Sequence, residues 1–527
     1  MAALVLAVAA MVPVTAADAA SPPSWSMSGQ GITNWRYQPD ENRISTNNVS
    51  SLGPAWVATL AGDISSTPAV VDGVAYVADW GGKFSALNAA TGALIWQDDV
   101  ASLTGVPGAL SRTSPAVSGD SVVFGTQLGA RLVSVNKNTG AVNWITALDP
   151  HPLAIITQSP TIYNGVVYDG VASTEENGVD CDGPPVDGHN ACYFRGSESA
   201  VDLATGAVLW KTYTISLEQQ AAGYSGAAVW GSSPAIDVKR NSVYITTGNN
   251  YSAPQSVKDC ATAAGSDLAA LAACEPQGNG NNVDAIMSLD LTTGAVKWVN
   301  KVQGYDAWTT ACIGFPTACP TPAGPDFDFG QGAMFIPTKS GDIVAAGQKS
   351  GIFWGLNADT GATVWKTLAG PGSSLGGMEW GSATDGTRIY FAVVNLGFAP
   401  YSMVNPPKGT PAVSYAGSWG AIDAATGKIR WQVADPNGTI DLGPISVANG
   451  VVYACSMGGI FFPGASTGKA TMFALDSGNG KQLWSYTSGG SVNAGPAIVD
   501  GAVYWGSGYS NLFIGDPNAK LFSFKLK

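Results

Sequence analysis

Eight tryptophans standing in one recurring context constrain this chain more than any other feature. Asn88-Ala-Ala-Thr-Gly-Ala-Leu-Ile-Trp96 returns as Asn136 to Trp144, Asp202 to Trp210, Asp290 to Trp298, Asn357 to Trp365, Asp423 to Trp431 and Asp476 to Trp484, with a glycine four residues ahead of each tryptophan. Trp56, in Leu52-Gly-Pro-Ala-Trp56, is a degenerate eighth copy. Self-similarity of this length marks a repeat architecture and outranks any local reading.

The content of a repeat says which architecture. Most copies are preceded by an apolar run opened by Ser-Pro or Thr-Pro (Thr67-Pro68, Ser114-Pro115, Ser159-Pro160, Ser233-Pro234), a turn such as Asp72-Gly73 or Asn164-Gly165, and a second apolar run. That is a hairpin. A third run leads into Asn/Asp-x-x-Thr-Gly, whose glycine supplies positive φ at a tight turn, and the tryptophan opens a fourth strand. Four short antiparallel strands per repeat make a propeller blade.

After Trp484 come three runs, Pro496-Ala-Ile-Val, Ala502-Val-Tyr and Lys520-Leu-Phe-Ser-Phe, with no tryptophan repeat behind them, whereas Trp56-Val-Ala-Thr-Leu is a fourth strand without predecessors. Joining the two closes a ring without an open edge. The expectation is an all-β fold: one eight-bladed propeller over residues 21–527, its last blade closed by both termini. Residues 1–20, apolar and ending in Ala-Asp-Ala-Ala, read as a secretory signal-like segment.

The seven cysteines fit that compartment, periplasmic or secreted. Cys181 with Cys192, Cys260 with Cys274 and Cys312 with Cys319 lie pairwise close, which suggests three local disulfides and leaves Cys455 as a buried thiol. A net charge of −13 argues against nucleic acid or an anionic membrane surface as partner, and no membrane span is expected beyond the leader-like segment.

The interval between tryptophans grows from 40 residues (Trp56 to Trp96) to 88 (Trp210 to Trp298), so the middle blades carry the long insertions. Polar residues beyond a blade's needs gather there: Thr157, Ser173 with Glu175 and Glu176, Trp230, Asn249, Asp326 with Asp328, and Lys349. Carboxylates with an amide oxygen form the hard donor set that suits calcium. Arg112 and Lys349 would neutralise an anionic ligand, and Trp230 would stack on a flat one.

At these residues the chain resembles the pyrroloquinoline quinone (PQQ)-dependent alcohol dehydrogenases, eight-bladed quinoproteins whose blades carry the same Thr-Gly-x-x-x-Trp motif. Gly324-Pro-Asp-Phe-Asp-Phe-Gly330 and the loop before it look like the polyvinyl alcohol dehydrogenase branch. The resemblance implies a cofactor set of Arg112, Thr157, Ser173, Trp230 and Lys349. It implies a metal set of Glu175 (Glu176 if the loop shifts by one), Asn249, Asp326 and Asp328, with calcium as the ion and a lanthanide as the alternative. Asp326 is the implied catalytic base. The adjacent cysteine pair of many members is absent, and so is Cys-x-x-Cys-His, so a separate acceptor such as cytochrome c is implied. The implied activity is oxidation of secondary alcohols such as polyvinyl alcohol. The alternatives are a non-catalytic envelope scaffold, whose propeller shares the motif, and a quinoprotein dehydrogenase for a small alcohol or sugar.

Overall fold

The computed structural model describes residues 23–177, 179–184, 190–314, 318–458, 469–510 and 514–527. The leader-like segment 1–20 lies outside them. Eight blades, each built on four antiparallel strands, follow one another along the chain, and a short fifth strand joins two of them: Ala154–Ile155 in blade 3 and Tyr37–Gln38, paired in parallel, in blade 7. Their inner and outer strands are Ala69–Val71 and Leu94–Asp99 (blade 1), Ala116–Ser118 and Val142–Ala147 (blade 2), Thr161–Tyr163 and Val208–Tyr213 (blade 3), Ala235–Asp237 and Val296–Lys301 (blade 4). Met334–Ile336 and Thr363–Leu368 (blade 5), Ala383–Thr384 and Ile429–Ala434 (blade 6), and Ser446–Ala448 and Gln482–Thr487 (blade 7) continue the series. Blade 8 runs inward-out from Ala497–Val499 to Lys520–Leu526, and Leu52–Thr59 completes it, with Leu52 opposite Leu526. The ring closes as the repeats predict.

The tryptophan motif is the joint between blades. Each indole N–H donates to a carbonyl of the following blade's turn: Trp56 to Ala89, Trp96 to Lys137, Trp144 to Leu203, Trp210 to Leu291, Trp298 to Ala358, Trp365 to Ala424, Trp431 to Ser477, and Trp484 to Leu52 across the seam. The recurring glycine therefore does two things. Gly294 has φ +72°, which supplies the turn, and a Cβ on it would stand 2.6 Å from the Trp210 ring. At seven of the eight joints the tryptophan ring stands against the next blade's turn glycine, so there only a residue without a side chain closes both the turn and the joint, whereas Trp484 at the seam has no such glycine.

The segment ahead of the first repeat is not an idle lead-in. Trp25 to Gln38 circles the inside of the ring and hydrogen-bonds the inner strands of seven blades. Its partners are Val70 (with Trp25), Val117 (Ser26), Ile236 (Ile32), Phe335 (Thr33), Thr384 (Trp35), Val447 (Arg36) and Ile498 (Gln38). Inner strands present unpaired backbone groups to the axis, and this collar satisfies one from nearly every blade. Its tight curvature needs left-handed backbone at Gln30, Asn34 and Arg36 (φ 70°, 56° and 48°).

All three expected disulfides are formed, and Cys455 is free and buried. Cys260–Cys274 joins two helices, Gln255–Ala264 and Leu268–Cys274, inside the longest insertion. No helix among the described residues is long and apolar enough to cross a membrane.

Candidate active site

Blade 5 and the loop ahead of it build the centre. Lys349 sits in the turn after strand Ile343–Gly347, and its ammonium lies 3.0 Å from Asp326 Oδ1 and 2.7 Å from Asp328 Oδ1. All three residues are almost fully buried. Asp328 Oδ2 accepts the indole N–H of Trp230 at 2.8 Å, and the Lys349 ammonium stands 5.2 Å from the centre of that ring. Asp326 is held in left-handed backbone (φ 58°) by Asp306, whose two carboxylate oxygens accept the Asp326 and Phe327 amides at 2.9 and 2.7 Å. This anchoring leaves Asp326 Oδ2 without a partner.

Beside it is a cleft with Arg112, Thr157, Trp380 and Tyr509 among its walls. The Arg112 guanidinium packs 4.7 Å from the Trp380 ring, which meets Trp230 edge-on at 5.3 Å. Thr157 Oγ1 donates to the Trp230 carbonyl at 3.3 Å. Asn249, fully buried, donates its amide to the carbonyls of Asn250 and Trp308, which ties the insertion after blade 4 to the site.

Two expected residues are turned to other work. Ser173 Oγ accepts the Glu175 amide and caps the short helix Thr174–Glu176. Glu175 faces away from the centre: it accepts the Tyr193 and Phe194 amides and lies 2.9 Å from His151 Nε2. The neighbouring Glu176 is the one in the electrostatic reach of Lys349, Asp328 and Arg112. Its backbone carbonyl is held by both donors of Thr310, from the same insertion that reaches Asn249.

Three further acids belong to this centre and were not singled out from the sequence: Asp284, Asp306 and Glu379. Burial pushes Glu176 up to about 7, Asp306 to about 7 and Glu379 to about 8, with Lys349 pulling each back down. Burial raises Asp326 and Asp284 well above the carboxylate range as well. Burial works against the Lys349 ammonium, but Asp326, Asp328 and Glu379 outweigh it and hold it protonated. Six carboxyl groups share two cations, Lys349 and Arg112. Such an excess of buried acid, with Asp284 Oδ1 and Oδ2, Asp326 Oδ2 and Glu379 Oε1 all lacking partners, is the chemistry of a hard-cation site. Among the described residues no three acids surround one point as ligands would, and the Lys349 ammonium pairs with both Asp326 and Asp328.

Proteins of known activity share this chain's sequence over most of its length. The polyvinylalcohol dehydrogenase of a Pseudomonas species is 29% identical over 94% of this chain and 74% of its own. That of Sphingopyxis sp. (strain 113P3) is 27% identical over 90% and 72%. The solved quinohemoprotein alcohol dehydrogenase ADHIIG of Pseudomonas putida HK5 superposes with a TM-score of 0.70 at 19% identity, over 96% of this chain and 80% of that one, which shows the common fold. A family model described as outer membrane protein assembly factor BamB, one of the PQQ-propeller models, matches residues 37–217 and 416–514, more than half of the chain. The chain belongs to the PQQ-propeller family, on its quinoprotein alcohol dehydrogenase side.

Within this quinoprotein, one signal for the missed residues was present. Trp380-Gly-Ser repeats Trp230-Gly-Ser, and both tripeptides stand just ahead of an inner strand, those of blades 6 and 4. Reading the repeat would have brought Trp380 and its neighbour Glu379 to the site together with Trp230. Asp284 and Asp306 carry no such mark, since each lies in a stretch without repeat or motif.

Proposed function

We propose that this protein is a PQQ- and metal-dependent alcohol dehydrogenase that oxidises secondary alcohols of the polyvinyl alcohol type and passes electrons to a separate acceptor such as cytochrome c. The observation that carries the reading is the buried Lys349 clamped between Asp326 and Asp328, against Trp230, at the edge of a cleft walled by Arg112 and Thr157. A scaffold propeller has no use for an arrangement that buries this much charge. The two polyvinylalcohol dehydrogenases above support the substrate class. Three disulfides support a periplasmic or secreted protein.

When bound, the quinone supplies the two-electron acceptor and the metal a Lewis acid. Trp230 offers a flat face, while Arg112 and Thr157 offer donors to an anionic rim. For the metal, we assign Glu176 in place of Glu175, together with Asn249, Asp326 and Asp328; Lys349 would move off the carboxylates toward the ligand. Calcium suits this oxygen set, with a lanthanide as the alternative. Asp326 takes the alcohol's hydroxyl proton on the oxygen that has no partner, and Asp306 holds it in place through the backbone.

The test is reconstitution of the purified protein with PQQ and calcium, and separately with a lanthanide, followed by dye reduction with polyvinyl alcohol and short secondary alcohols. Turnover that needs both quinone and metal is expected. Failure to bind quinone under either condition would overturn the reading.

A further inference from the structure

The collar carries a second guanidinium into the same cleft. Arg36 is 1% exposed. It donates to the carbonyls of Ile445 (2.7 Å) and Ser28 (2.8 Å) and to Thr67 Oγ1 (3.1 Å), with Ser28 Oγ and Ser446 Oγ at 3.4 Å. Every acceptor is neutral, and among the described residues no carboxylate forms an ion pair with it. Gly381 and Gly495 make room for the side chain, since a Cβ on either would meet it. A guanidinium buried with neutral partners alone is costly, and proteins that bury one ordinarily supply an anion. Arg36 lines the cleft together with Arg112, whose Nε has no partner, and with the hydroxyls of Ser65, Thr67, Ser114 and Ser159. The cleft floor thus presents the charge of Arg36, whose donors are all engaged with neutral acceptors, two of them at 3.4 Å, beside Arg112 with its unpartnered Nε, and none of the lining residues is acidic.

We propose that Arg36 and Arg112 form an anion site on the floor of the cleft that takes a carboxylate group. Resting on the function proposed above, we assign that group to the bound quinone; a free small carboxylate is the other source of the same chemistry. The collar is then part of the cofactor site, and residues outside the eight repeats help to define what binds inside them.

The experiment follows PQQ binding to the apoprotein by quenching of tryptophan emission, with thermal melts run in parallel with and without malonate. In Arg36→Met, PQQ affinity is expected to fall about ten- to hundred-fold, the range for a lost hydrogen bond to a charged group. Arg36→Lys should fall in between, because it keeps the charge and loses the fork. Folded Arg36→Met protein that binds PQQ within two-fold of wild type would overturn the proposal and leave the proposed function standing. If wild type binds no PQQ, the proposed function fails and malonate decides the site: stabilisation of wild type but not of Arg36→Met upholds it, and no stabilisation of either overturns it. Should Arg36→Met not fold, Asn493→Asp gives the answer without touching the collar, because Asn493 lines the cleft and its Oδ1 has no partner. Beside two cations the new carboxylate should raise the melting temperature and weaken PQQ binding at least ten-fold; a lowered melting temperature with unchanged binding would overturn the proposal.

Discussion

Replacing Gly294 with alanine tests the joint between blades, and Gly165→Ala is its internal control. Both glycines have left-handed backbone, φ +72° and +76°, but a Cβ on Gly165 meets nothing within 4 Å, whereas one on Gly294 stands 2.6 Å from the Trp210 ring and 2.7 Å from Thr212 Oγ1. Each substitution costs about 1–2 kcal/mol for the backbone alone. Gly294→Ala adds about 1–3 kcal/mol for overpacking. It also adds about 1 kcal/mol if Trp210 is displaced from the Leu291 carbonyl. The difference between the two variants should therefore be about 2–4 kcal/mol, or roughly 30- to 1,000-fold in the unfolding equilibrium. Urea unfolding measures it directly where refolding is reversible, and unfolding rates in urea measure it otherwise. Equal destabilisation by the two substitutions, within about 0.5 kcal/mol, would show that the tryptophan does not depend on the missing side chain.

Four further outcomes are expected. Asp326→Asn should lower turnover by about 10²- to 10⁴-fold in the reconstituted enzyme and leave PQQ binding within a few-fold; undiminished turnover would remove Asp326 from the role of base. Glu176→Gln should raise the metal concentration needed for half-maximal activity with little change in stability, whereas Glu175→Gln, which weakens the tie to His151 and two amides, should cost about 1.5–3 kcal/mol in a melt; the opposite pattern would return the metal to Glu175. Asp169 and Glu198 lie fully buried in blade 3, and burial raises both well above the carboxylate range. The fold therefore binds more protons than the unfolded chain, so their stabilising contribution is complete below the ordinary carboxylate pKa and declines as pH rises toward the folded values, by at most about 1.4 kcal/mol per pH unit for each proton. The Asp169→Asn, Glu198→Gln double variant should flatten that decline in urea titrations from pH 4 upward, and an unchanged slope would count against it. Cys455, whose thiol burial pushes up, should resist a chromogenic disulfide reagent in native protein and react once unfolded, with no reducing agent present; rapid native reaction would contradict its burial.

What could be read from residues alone divides along the length of chain that a contact spans. The four strands of a blade and the turn glycine at Thr-Gly are local, so periodicity and turn chemistry carried them. The docking of Trp210 on Gly294 joins residues in neighbouring repeats, and a repeat pattern shows that both recur without showing that they touch. At the site, Asp326, Asp328 and Lys349 were legible as a group because of the family resemblance, and the structure brings them together with Trp230. Glu175 and Glu176 could not be separated, because a single turn of helix, capped by Ser173, decides which carboxylate faces inward. The collar was illegible for a different reason: Arg36 takes left-handed backbone that its residue type does not announce, and the partners of Asn34 and Arg36 lie about 200 and 400 residues further on.

The collar also dictates an order of events. Its partners extend from Val70 to Ile498, and the strand that follows it, Leu52–Thr59, waits for Lys520–Leu526. The first segment of the ring to be synthesised is thus among the last to find its place, while later repeats can condense on one another as they are made. Folding of this kind is slow, because its final contacts close the longest loops in the chain. Dismantling runs into the same obstacle in reverse: loosening one blade leaves the collar fastened to the others, so loss of the native ring requires many joints to yield together.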